Sequence, residues 1–362
     1  MSLEDVDQTL ELRCLVNLKG ILTEGSVCHF SFAAYSTMYF YSGLRLEPLK
    51  NDVLRFVEML EAFGQRVHLT LYRPFVELIM NLMGSRIDND EIGGRSSISV
   101  PKGNSSQAMQ YYYRYEMILA FYLDDINGAN EMSNKLSPSQ VEGPSSWLPP
   151  KYFYQGLIQF ALCRTTGNNK YRRKGQTYIQ KLEKYIKAGN VNCQHLALLL
   201  KAEHTALGRS AIDVVQHAFD KAIVSSGKIG FIHDQALGNE LAGIYFLARG
   251  DRSWASTYLA RSHALFQSWG AMAKARQMES KYGELLTFQR EEGRTQRHST
   301  FLRGISRAQS IVESSSNNPR PLSARYQMFP TPEDASTTFS QAFDVDNSQT
   351  SMPTFGFQQS FG

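Results

Sequence analysis

The sequence predicts an all-α chain in which stacked helical hairpins form an α-solenoid and a disordered C-terminal tail follows. Three observations carry this reading. Apolar residues recur at helical spacing over the first 290 or so positions, strand-like alternation is not sustained, and six glycines fall at near-constant intervals. The organisation that follows is a lead-in at 1–24, a helical-repeat domain at 25–289 and a tail at 290–362.

Gly43, Gly84, Gly128, Gly167, Gly208 and Gly250 each end an apolar helical run, at intervals of 41, 44, 39, 41 and 42 residues. After most of them a new helix is expected, with Asn127, Ser210 or Ser253 as its N-cap. The gap 85–107, with Gly93-Gly94 and Pro101, reads as a loop where the second hairpin should have its second helix. A further loop is expected at 137–150, where Pro138, Pro144 and Pro149-Pro150 lie. Helical spacing then continues through Leu157, Phe160 and Ala161, through Ile179, Leu182 and Ile186, and through Leu198, Leu199, Ala202 and Ala206. It is found again in Leu237, Leu241, Ile244, Tyr245 and Ala248, while Ala255, Ser262 and Phe266 share one face, as do Ala211, Ala218 and Ala222. A hairpin of two such helices cannot bury both faces alone. Stacking several of them buries a continuous core, which is the logic of tetratricopeptide-like arrays. No lysine follows Lys281, and residues 299–362 hold 18 Ser or Thr, so this stretch lacks the apolar surface to offset an ordering cost of about 1–2 kcal/mol per residue.

Composition excludes more than it selects. The net charge of +4 supplies no strong field toward nucleic acid or an acidic membrane, so neither is expected as a partner. Val67–Met83 is interrupted by Arg73, Pro74 and Glu77 and reads as no membrane span. Four well-separated cysteines and an acidic opening point to a reducing, cytoplasmic setting.

Enzyme signatures are not met. Ser226-Gly227-Lys228-Ile229 lacks the magnesium-binding hydroxyl and the upstream glycine of a phosphate loop, and reads as the end of a helix. No histidine has a second His at helical spacing, and His195 and His204 read as solitary hydrogen bonders. Glu203 and Glu240 lie mid-way along apolar helices. A buried carboxylate there is either a general acid or base, or half of an ion pair that fixes register, and the second reading is favoured. The run Tyr111-Tyr112-Tyr113-Arg114-Tyr115 reads as one face in the core and one in a groove, where partners bind, rather than a base-stacking platform. No catalytic residue, cofactor or metal is therefore expected.

Leu199-Leu200-Lys201-Ala202-Glu203, Ala236-Leu237-Gly238-Asn239-Glu240-Leu241-Ala242, Ala255-Ser256-Thr257-Tyr258-Leu259 and Trp269-Gly270-Ala271-Met272-Ala273-Lys274 together resemble a known pattern. It is the helical region following the ATPase domain in large signalling proteins that combine a serine/threonine kinase-like domain, an ATPase, a GAF domain and often a histidine kinase. The resemblance is most specific over 191–286. It implies a tetratricopeptide-like superhelix serving as coupler or partner platform, with other proteins as partners, a signalling ATPase or kinase among them. It further implies that Trp269 fills a pocket at the end of the array, that Gly270 permits a close turn beside Ala271, and that Lys274 opens a capping helix, 271–288, with its charge outward. The kinase, ATPase, GAF and histidine-kinase segments of that family are not found here, so no catalytic activity is expected to carry over.

The expected function is a non-enzymatic interaction scaffold, a regulatory fragment encoded separately or an incomplete gene product; the alternatives are an adaptor binding through its tail, and an enzyme using Glu203 or Glu240. In the junction 290–310, Arg297, Arg303 and Arg307 stand three residues before Thr300, Ser306 and Ser310, the spacing basophilic kinases read. A solvated basic linker explains the same residues.

Overall fold

A computed structural model describes residues 25–85, 98–101, 105–136 and 147–287, with side chains from Phe32 onward. The lead-in 1–24 and the tail, with Thr300, Ser306, Ser310 and the expectation of disorder, lie outside the described residues. Everything described belongs to one compact unit, Met1–His298; the second unit, Ser299–Gly362, is wholly outside them.

The described residues are helical, with no strand among them. In order they form α1 (Gly25–Tyr41), α2 (Leu46–Ala62), α3 (Arg66–Met83), α4 (Ser106–Tyr122), α5 (Ile126–Lys135), α6 (Leu148–Thr166) and α7 (Asn169–Lys187). A 3-10 turn at Val191–Cys193 leads to α8 (Gln194–Ala206), α9 (Ile212–Lys228), α10 (Ile232–Ala248) and α11 (Arg252–Trp269). A last helix, α12, covers 272–287. The amphipathic spacing is plain in α2, where Leu46, Leu49, Val53, Phe56 and Leu60 form the buried stripe. Helices that follow one another pack together, α6 on α7 and α10 on α11 most extensively. One buried cluster runs from Phe40 to Leu285.

The glycine period has a finer grain than the sequence reading gave it. Gly43, Gly84, Gly167 and Gly250 end their helices with positive φ, and Gly64, Gly189, Gly230 and Gly270 do the same at the ends between them. One period is thus two helices, and most of the helix ends are closed by a left-handed residue. Two of the six glycines are corrected. Gly128 lies in the first turn of α5, and Asp124, with φ of 68°, makes the preceding reversal; its short side chain tolerates that region better than most. Gly208 follows α9's predecessor without positive φ, and Leu207 caps that helix.

The caps are corrected too. Asp125 and Asp251 accept the N–H of Gly128 and Trp254, which places Asn127 and Ser253 inside their helices. Ser210 precedes Ala211, the cap of α9, which makes no side-chain bond. Pro149-Pro150 open α6 rather than end a loop, since proline's missing N–H costs nothing in a first turn. Of the loop 85–107, Ile98 and Ser99 are held by backbone N–H donation to the buried carboxylates of Glu116 and Glu77, at 2.8 and 2.5 Å.

Candidate functional site

Polar groups inside this core connect each hairpin to the next. Arg164 of α6 donates to Glu203 of α8, 39 residues on. His195 Nε2 donates to Asp234 Oδ2 at 2.8 Å, again across 39 residues. Tyr258 donates to Asp220 at 2.7 Å across 38 residues, and Lys274 Nζ reaches Glu240 Oε1 at 2.7 Å across 34. The separations approximate one repeat, so a polar residue on an apolar face finds its partner on the equivalent face of the neighbouring hairpin.

Both carboxylates singled out in the sequence have cationic partners. Glu203 is 1% exposed, and burial raises its carboxyl above the ordinary range despite Arg164; its second oxygen has no hydrogen-bond partner. Lys274 requires a correction: its side chain is 4% exposed and its charge points inward to Glu240, itself 7% exposed. A buried ammonium is tolerated here because the carboxylate one hairpin away meets it directly, and Gln277 Oε1 accepts a second bond at 3.1 Å.

Trp269 is fully buried, and part of its pocket comes from the opposite end of the described chain. The indole packs against Phe40 and Tyr122 with ring centres 5.7 Å away in each case, and stacks on His233 at 5.2 Å. Its Nε1–H donates to the carbonyl of Leu44 at 3.0 Å, a contact spanning 225 residues. Gly270, with φ of 97°, follows at once, and a Cβ there would lie 3.4 Å from that of Leu46. Gly43 is tighter still: a Cβ would fall 2.4 Å from His233 Nδ1. Ala271 is fully buried in the same contact. Nearby, Lys281 of α12 pairs with Asp124 at the end of α4. This seam joins α1–α4 to α10–α12, which a stack of purely neighbouring contacts does not account for.

Behind the seam, the sequence reading missed a second polar centre. Asp234 lies between His195 and His233, with His233 Nε2 3.5 Å from its other oxygen, and all three side chains are only 1–3% exposed. Burial raises the Asp234 carboxyl, but His233 and His195 outweigh it and hold the group below its ordinary range. Burial lowers His233. The signal was available: His195 and Asp234 stand one repeat apart, like the other pairs.

A cavity of about 130 Å³ adjoins this centre, lined by Tyr41, Phe153, Asn190, Asn192, Cys193 and Asp234 among others. Burial pushes the Cys193 thiol up to about 11, so it stands there as a thiol and not as a nucleophilic thiolate. Asp234 and His233 both line this cavity while only 2–3% exposed, and with His195 they tie α8 to α10. The tyrosine run is likewise engaged in packing: Tyr115 is buried, and the Arg114 guanidinium lies 3.6 Å over the Trp147 ring. Among the described residues no cluster of His, Cys, Asp or Glu forms a metal site, and no helix is long and apolar enough to cross a membrane.

No family model matches the chain, and no solved structure matches it. A curated protein of Dictyostelium discoideum, hybrid signal transduction histidine kinase G, is 37% identical over 67 residues. Those residues are 18% of this chain and 2% of that protein, so the chain spans a small fraction of this relative's length.

Proposed function

We propose that the chain is a non-enzymatic interaction or regulatory scaffold, a tetratricopeptide-like stack of helical hairpins of the kind that couples signalling kinases and ATPases. The observation that carries the reading is the set of buried polar links at one-repeat separation, Arg164 with Glu203, His195 with Asp234 and Lys274 with Glu240. These side chains are committed to holding hairpins in register, and such arrays present extended faces to partners. The short match to a signalling histidine kinase supports the signalling half of the reading.

Proximity labelling with the full chain in its source cells tests it. The expected result is stoichiometric recovery of a polypeptide with a kinase or ATPase domain. The reading is overturned by no protein partner above background together with a turnover, found in a substrate screen, that Glu203→Gln or Glu240→Gln abolishes.

A further inference from the structure

Helix α7 is strongly basic. Its 19 residues hold seven Lys or Arg against one acid, Glu183, whereas the entire chain is only +4. The remainder of the chain is therefore slightly acidic.

At 3.6 residues per turn and 1.5 Å per residue, Lys170, Arg173, Lys174, Lys181 and Lys184 fall within about 100° around the axis and about 21 Å along it. Gly175, Tyr178, Ile179 and Leu182 occupy the opposite, buried side. All five cations are exposed, and among the described residues none is paired with a carboxylate. Glu183 lies off the stripe and is taken by Lys201 at 2.8 Å. Lys181 sits over the rings of Tyr152 and Tyr178, at 4.6 and 5.1 Å, which fixes one charge in place. Burial, and then the neighbouring Lys184 ammonium, hold Lys181 below the ordinary lysine range; an anion alongside would relieve the second cause.

We propose that this stripe docks an acidic segment of a partner protein whose carboxylates recur at one-turn spacing. The proposal names a partner chemistry for the scaffold proposed above and rests on that reading. Three polyanions compete for such a surface, and the stripe's make-up separates them. Four of its five cations are lysines, point charges without the planar fork that grips phosphate in two bonds. The rings beside it already lie under Lys181, so no open platform remains for stacking bases. The apolar face of α7 is spent on the core, so no hydrophobic side is left to enter a bilayer. Carboxylates recurring at about 5 Å along a helix meet ammonium groups set one or two turns apart along the stripe.

The test uses the full chain and a fluorescent 20-residue peptide with Glu at helical one-turn spacing, read by anisotropy at low and physiological salt. A 12-base-pair DNA duplex and phosphatidylserine vesicles are run in parallel. The expected result is salt-sensitive peptide binding that weakens at least tenfold in Lys170→Gln/Lys174→Gln/Lys184→Gln, with the thermal melt unchanged. Arg297→Gln/Arg303→Gln/Arg307→Gln, outside α7, should retain it. Should the triple lysine variant fail to fold, Lys174→Gln alone is expected to weaken binding about threefold. Undiminished binding in the α7 variants, absence of peptide binding, or tighter stripe-dependent binding of the duplex or vesicles overturns the proposal. Each of these leaves the scaffold reading to its own labelling test, which does not depend on α7.

Discussion

From α6 to α12 the buried polar links join residues 34–39 apart, while at the seam the Trp269 indole reaches a carbonyl 225 residues away. In a flexible chain, closing the longer loop costs about 1.5 kcal/mol more than closing the shorter, since the entropy grows only as the logarithm of length. The difference in consequence is larger than that. A one-repeat link orders two hairpins, whereas the seam makes the first helices depend on the last. Stacking supplies the local stability, and the seam converts a row of neighbouring interfaces into one cooperative unit.

The harshest way to separate the two is truncation after Leu207. Were the stack sufficient, the remaining helices would melt as a shorter array. With the seam removed, Phe40, Leu46 and Tyr122 lose the surfaces that cover them, and circular dichroism should show a broad transition or none.

Trp269→Ala removes only the indole and should cost roughly 3–5 kcal/mol, measured by denaturant titration. An unchanged midpoint would mean that the seam contributes nothing to folding. Lys274→Met tests a one-repeat link by leaving Glu240 buried and unpaired, with an expected loss of about 3 kcal/mol. Pairing it with Glu240→Leu should recover most of that loss, as replacement of a whole buried pair by apolar groups often does.

Acid distinguishes the two kinds of buried carboxyl. Asp234 is depressed, so its contribution is present above the ordinary aspartate range and is lost as pH falls through its folded value. His233 is lowered as well: below about pH 6.5 the unfolded chain takes up a proton that the folded chain refuses, so stability again falls with pH. Glu203 is raised and acts oppositely, its contribution being present at low pH and lost as pH rises through its folded value. Melts from pH 8 to 3 should show acid destabilisation near the seam, of which Asp234→Asn removes the part that develops below about pH 4, whereas Glu203→Gln should gain relative to the parent as pH rises. Identical profiles in all three proteins would contradict the assignment.

The smallest effect is expected at the junction. Ser306→Asp/Ser310→Asp should leave the melt within about 0.5 kcal/mol of the parent, as surface substitutions usually do. If phosphosite mapping finds phosphate there, it will lower a local excess of five Arg over two Glu without touching the fold.

The helices were legible because 3.6-residue periodicity is written locally, and the glycine period because a left-handed cap favours one residue type. Gly128 misled because Asp124 can make the same reversal, so a glycine four residues on was mistaken for the cap. Lys274 misled because solvation keeps most lysines outside; only its spacing from Glu240, one repeat back, marks the exception. The seam was not legible at all. Trp269 could be picked out as a pocket-filling residue, but no periodicity links it to Phe40 or Leu44, because that contact depends on how far each hairpin rotates against the last.

Native-state hydrogen exchange on Trp269→Phe tests the seam most directly, because the ring volume is largely kept and the bond to Leu44 is lost. The account predicts that amides of α1 and α2 lose protection in step with those of α11, while α6–α8 retain theirs relative to the new global limit. A loss confined to α11 and α12, with α1 and α2 unchanged, would contradict it.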